Sequence, residues 1–232
     1  MALSSSYAVQ REYVGVVKAG QQANLGFELA GKVNEILVDV GDTVTMGQPL
    51  IRLDTQLLET ESSQLKAQAE EVKAQLSLVA ANLKRQRSLK AKGFSAEAEI
   101  DSLTSEQRVL QANLLRIDAS VKGNQLKLVK STIIAPYSGT LSTRFVSVGD
   151  VVNVGNPTLT LLASEGKEAF IGIPAHQMKK VTSLSAPSIR VGRDDFSVTL
   201  LNPGAMVDTR SRSVGLRYLF PEQSSVLSLI HI

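Results

Sequence analysis

The stretch GKVNEILVDVGDTVTMGQPLIRL, Gly31 to Leu53, is written a second time as GTLSTRFVSVGDVVNVGNPTLTL, Gly139 to Leu161. Laid together without a gap, the copies share Gly31/Gly139, Val38/Val146, Val40/Val148, Gly41/Gly149, Asp42/Asp150, Val44/Val152, Gly47/Gly155, Pro49/Pro157 and Leu53/Leu161. In the first copy Ile36, Val38, Val40 and Val44 fall on one face and Leu37 and Asp39 on the other, the period of a β-strand. Gly41-Asp42 and Gly149-Asp150 are turn signals, since Gly tolerates positive φ and Asp can bond its own backbone. Gly47-Gln48-Pro49 and Gly155-Asn156-Pro157 mark a second turn at matching places. Each copy predicts three or four short strands, too few to enclose a core alone. Ungapped register favours halves that pack on each other as one pseudo-symmetric sandwich over a duplicated but independent hairpin.

Between the copies the period changes. No Gly or Pro occurs from Gln56 to Lys92. Leu58, Ser62, Leu65, Ala69, Val72, Leu76, Val79 and Leu83 recur at steps of four and three. After KAKGFSAE, where Gly93 suits a helix end and Ser95 a helix cap, the rhythm resumes. It runs through Ile100, Leu103, Gln107, Leu110, Leu114, Ile117, Val121, Asn124 and Leu128. These are a and d positions of heptads, so two helices of about 35 residues pair antiparallel through a narrow seam, roughly 50 Å long. With only two seam residues per heptad and polar side chains around them, the hairpin is expected to stand in water. Ser62, Gln107 and Asn124 put polar groups into the seam, where they set register at a cost in stability.

Composition narrows the function. There is no Cys, so disulfides, thiolate catalysis and Cys-ligated metals are excluded together. Lys+Arg of 25 against Asp+Glu of 22 gives +3, no field for wrapping nucleic acid. Aromatic content of 4% without Trp is thin for one large core. His176, in IPAHQM, has only His231 for company and is expected at a surface turn. Asp194-Asp195 reads as a solvated hairpin turn, and no Gly-rich phosphate loop appears. No catalytic, metal or cofactor-binding residue is assigned. The first residues show no signal peptide, and no apolar run is long enough to span a membrane. Beyond Ala163, KEAFIGIP, FSVTLL and, more loosely, SRSVGLRYLF alternate, predicting a small antiparallel barrel joined by the strands around Tyr13 to Val17.

The motifs APxxGxL, from Ala135, and VGDxVxxG, from Val40 and Val148, resemble the biotinyl/lipoyl domain. In enzyme carriers of that fold a lysine stands on the turn between the halves. Here that place, after Leu53, reads Asp54-Thr55-Gln56 and launches a helix, which leaves a lipoyl- or biotin-carrying enzyme subunit only as the less favoured alternative.

A lipoyl-like domain split by an α-hairpin and followed by a β-barrel is similar to the periplasmic adaptors, or membrane fusion proteins, of tripartite efflux pumps, the RND-type and HlyD-like subunits. The resemblance runs from about Tyr7 to about Ser225, carried by GKVNEILVDVGDTVTMGQPLIRLD, STIIAPYSGTLSTRFVSVGDVV and FIGIPAHQM with NPGAMVDTRSRSVGLRY. It implies a mixed α and β, elongated chain: strands joining the barrel over 1–25, lipoyl-like half one over 26–54, hairpin over 55–128, half two over 129–163 and a partial barrel over 164–225. It also implies a hairpin tip that meets a TolC-type outer-membrane channel. The family's tip set of an Arg, a Leu four residues on and a Ser past the turn is matched by Arg85, Leu89 and Ser95. Arg87 and Lys92, with Lys84 and Lys90, make the tip basic, and the turn is one residue shorter than the common pattern. Further expectations are an inner-membrane transporter as partner, a homo-oligomeric and hexameric ring, and a periplasmic, inner-membrane-associated site in a Gram-negative bacterium. An ABC-type exporter with the same adaptor architecture is the alternative partner. The last residues, LSLIHI, resemble a translated sequencing adaptor, so 226–232 is expected to be a non-native tail.

Overall fold

The computed structural model describes residues 13–92, 97–183, 187–191, 194–208 and 213–221. The tail from 226, and the Gly93 helix end with the Ser95 cap, lie outside these residues. In chain order the strands before the hairpin are β1 (Gly15–Lys18), β2 (Gln22–Gly26), β3 (Gly31–Ile36), β4 (Thr43–Val44) and β5 (Pro49–Leu53). Helices α1 (Gln56–Lys90) and α2 (Glu97–Lys130) follow. Then come β6 (Thr132–Ile134), β7 (Gly139–Arg144), β8 (Val151–Val152), β9 (Pro157–Ala163) and β10 (Glu168–Pro174). A short helix α3 (Met178–Thr182) leads to β11 (Ser188–Val191), β12 (Asp194–Ser197), β13 (Thr199–Asp208) and β14 (Ser213–Leu219).

The two repeats build one sandwich by exchanging strands. One sheet runs β2-β9-β7-β4 and the other β6-β5-β3-β8, so each half lends two strands to the other's sheet. The exchange explains why neither half suffices alone. Phe27, Val33, Leu50, Ile51, Leu141, Leu159 and Leu161, drawn from both halves, are almost wholly buried in a single core. β2 pairs with β9, so the sandwich takes in residues ahead of the boundary expected at 26.

The alternation expected through Val40 does not hold. β3 ends at Ile36 after an irregularity between Val33 and Glu35, and Val40 is 54% exposed. A bulge moves the side-chain phase, and the loop that follows has no pleat to maintain it. Val33, Val38 and Val44 are the residues that reach the core.

α1 starts where a carrier turn would stand. Asp54 accepts a hydrogen bond from the Gln56 amide at 3.0 Å, and the Thr55 hydroxyl donates to Glu59 at 2.6 Å. The expected seam is the observed one: all the a and d residues named above are buried or half-buried. Ala69, Val72 and Ile117 form its driest section, with Leu76, Leu110, Leu114 and Val121 packed around them. Asn124 is 2% exposed and donates to Glu61 at 2.9 Å.

Beyond β9 the chain forms an open half-barrel, a sheet of order β1-β10-β14-β13 beside the hairpin β11-β12. The predicted strand FSVTLL is in fact two: Val198 separates β12 from β13, buried with its amide on the Pro187 carbonyl at 3.1 Å. Val17, Ile171, Ile173, Leu216, Tyr218 and Phe220 fill this second core.

Candidate partner-binding site

The hairpin's far end combines helix-end chemistry with a dense set of cations. α1 ends on Arg87 and Lys90, and α2 begins on Glu97 and Glu99, each sign placed against the helix dipole that favours it. Lys90 crosses the turn to Glu97 at 2.6 Å, which holds that carboxyl below its ordinary value through the hydrogen bond and then the charge. Sequence reasoning did not single out this clasp; oppositely charged residues flanking a predicted turn were the available signal.

Arg85, Arg87, Leu89 and Lys92 are exposed, Leu89 at 37%. Arg85 and Leu89 are four residues apart and share one side of α1. Arg87 lies on another side, in an open groove with Lys84, Ser88, Ala91, Leu83 and Gln107. The tip therefore presents two surfaces, an Arg–Leu edge and a cationic groove floored by the seam. Ser95 lies outside the described residues, so the matched set is seen only in its first two members.

A second hollow opens on the sandwich between Ile36, Leu37, Val38, Asp39, Arg144 and Val148. Asp39 accepts from the Val40 amide at 2.8 Å and from Arg144 at 3.4 Å. These interactions, the backbone bond first, lower its pKa. The two bonds tie the Asp39 loop to Arg144 on β7. His176 sits exposed in a 3-10 turn at Ala175–Gln177. Asp194 and Asp195 correct the expected turn: both are in β12, exposed, and Asp195 pairs with Arg190 at 2.9 Å. Among the described residues no cluster of acidic or histidine side chains could hold a metal. Among them, too, no helix is long and apolar enough to cross a membrane.

No family model matches the chain. Among curated proteins it is 22% identical over 225 residues to the multidrug resistance protein MdtA of Proteus mirabilis, covering 92% of this chain and 55% of that protein. It is 26% identical over 166 residues to the membrane fusion protein MtrC of Neisseria gonorrhoeae, covering 72% of this chain and 40% of MtrC. The chain thus spans about half the length of the curated relatives it matches. Among solved structures, MacA from Actinobacillus actinomycetemcomitans superposes with a TM-score of 0.69 at 17% identity, over 94% of this chain and 75% of that one. The periplasmic adaptor protein EmrA gives 0.53 at 16%, over 94% and 95%. The split sandwich, the inserted hairpin and the half-barrel are the fold these proteins share.

Proposed function

We propose that this chain, a membrane fusion (periplasmic adaptor) protein by its fold and its relatives, links an inner-membrane efflux transporter to an outer-membrane channel. The transporter is of the RND type and the channel TolC-like, and the exported cargo is small molecules. The work is mechanical and associative, carried out in the periplasm. Copies assemble into a ring, and the hairpins extend from it so that the tips, with Arg85, Leu89, Arg87, Lys92 and Ser95, meet the channel. The half-barrel lies at the other end of the chain's path, toward the inner membrane.

One observation carries this reading. The turn that presents a cofactor lysine in an enzyme carrier is opened into a 35-residue helix and its 34-residue return, solvated along their outer faces and cationic at the end. Such an arm reaches; it encloses no reaction. The RND assignment draws on the multidrug resistance and membrane fusion proteins among the relatives.

The test is site-specific crosslinking from Leu89→Cys to the outer-membrane channel, with Leu78→Cys at mid-hairpin as control. Preferential capture at Leu89 is the expected result. Equal capture from both positions would remove the docking role from the tip.

A further inference from the structure

The hollow on the sandwich has an apolar floor and walls and a charged rim. Ile36 is half-buried and Val38 is 6% exposed, and both pack with the sandwich core beneath it. Leu37 and Val148, 39% and 63% exposed, come from different halves of the repeat and line the same space. Its volume of about 430 Å³ is that of a small-molecule site. Apolar side chains exposed singly are ordinary on a protein surface. Two that border one hollow beside carboxylates make that hollow amphiphilic.

Electrostatics set the sign of what it can hold. The rim carries two carboxylates, Asp39 and Asp42, against one guanidinium, Arg144. Asp39 Oδ1 accepts from the Val40 amide and from Arg144, and Asp42 Oδ2 accepts from the Asp39 amide. The other oxygen of each carboxylate has no hydrogen-bond partner among the described residues. Arg144 is drawn aside: its Nη1 donates to the Val146 carbonyl at 2.6 Å, whereas its Nε stands 3.4 Å from Asp39. One negative charge is therefore in excess, with open acceptors. A metal ion matches poorly, since among the described residues no three acidic or histidine side chains come together and apolar walls offer it no ligand. The second half does not repeat the arrangement. Phe145 and Ser147 stand at the positions of Leu37 and Asp39, and Ile36 is the counterpart of Arg144.

We propose that this hollow binds a lipophilic organic cation, with its charge against Asp39 and Asp42 and its apolar groups over Leu37 and Val148. That the cation is exported cargo rests on the efflux reading above; the binding itself does not.

The test titrates the full chain with tetraphenylphosphonium, a lipophilic cation, and with tetraphenylborate, an anion of the same shape. Equilibrium dialysis gives the affinity, and methyl NMR gives the place. The expected result is saturable phosphonium binding that shifts the Leu37 and Val148 methyl resonances, which borate leaves unmoved. Asp39→Asn keeps an acceptor for the Val40 amide and removes the charge, and should weaken binding about threefold. Val148→Ser removes an exposed wall without entering the core, and should also cost about threefold. Together the two should cost about tenfold. Val154→Ser, at a position 62% exposed and outside the hollow, should change nothing. The buried Val33 and Leu141 methyls report that each variant keeps its fold.

No saturable phosphonium binding, equal affinity for both ions, shifts confined to other residues, or an affinity unmoved by Asp39→Asn would overturn the proposal. The outcome separates from the adaptor reading. Tip crosslinks without phosphonium binding would leave the adaptor role standing and remove this site. Phosphonium binding without tip crosslinks would keep the site and remove the docking role of the tip.

Discussion

The Gly41 amide donates to the Leu141 carbonyl at 2.8 Å, and the equivalent Gly149 amide donates to the Val33 carbonyl at 2.9 Å. Each half's Gly-Asp turn is thus tied to the other half's strand, and the bonds are reciprocal. Both glycines have φ of 95°. Around them Asp42 accepts the Asp39 amide at 2.8 Å and Asp150 the Ser147 amide at 2.7 Å, closing the same turn twice.

A methyl group at Gly41 would meet nothing within 4 Å, so Gly41→Ala has a purely conformational cost, about 1–2 kcal/mol. Gly139→Ala is expected to cost more, because its Cβ would stand 2.1 Å from the Leu162 carbonyl oxygen, within the β7–β9 pairing. Urea unfolding of the two variants checks the order. A larger loss at Gly41 would show that its turn contributes more than backbone conformation.

The helical hairpin was the most legible part of the fold, because a two-helix seam follows from local spacing alone. Ser62 and Asn124 could be placed in it by step counting and are both buried there. The strand exchange was not legible: a repeat announces that two halves meet, but the β3–β8 and β4–β7 pairings depend on long-range closure. Phe27 was missed for the same reason. It lies outside the quoted repeat, yet it is 2% exposed and its carbonyl accepts the Gly155 amide, as that of Ala135 accepts Gly47. Of the tip, the residue types could be named, but their division between two sides of α1 needed the helix itself.

Asn124 is the seam's weak point. Its amide donates to Glu61, but its Oδ1 is buried with no hydrogen-bond partner. Leaving an acceptor unsatisfied costs about 1–3 kcal/mol. Asn124→Leu should therefore raise the hairpin's thermal midpoint, followed by helical circular dichroism, and relax its register. An unchanged or lower midpoint would mean that the Asn124–Glu61 bond outweighs the orphaned oxygen.

Two ion pairs of the same chemistry should differ by their burial. Arg217 grips Glu168 through two bonds of 2.8 and 2.7 Å, and the Glu168 side chain is only 11% exposed. Arg52 and Glu35, at 2.8 Å, are each about half exposed. Arg217→Met would strand a carboxylate on the half-barrel and cost about 2–3 kcal/mol, reduced from the fully buried case because Arg217 itself is partly solvated. Arg52→Met should cost about 0.2–1 kcal/mol. Double-mutant cycles on both pairs measure the difference; equal coupling energies would refute the burial argument.

Asp39 gives the sandwich a defined response to acid. Its folded pKa is lowered, first by the Val40 amide and then by Arg144, whereas an unfolded chain would titrate near 3.8. A carboxyl of this kind contributes stability above the unfolded value and loses it as pH falls through the lower, folded one. Arg144→Gln removes the Arg144 hydrogen bond and charge but leaves the Val40 amide bond, the largest single cause, so the Asp39 midpoint, read from its carboxyl-carbon resonance, should rise part of the way while staying below 3.8. The acid limb of the sandwich's stability should move up with it. A midpoint that reached 3.8 in the variant would assign the whole effect to Arg144 and leave the Val40 amide without influence. The equivalent position in the second half is Ser147, which offers no carboxylate, so this acid response belongs to one side of the pseudo-symmetric pair alone.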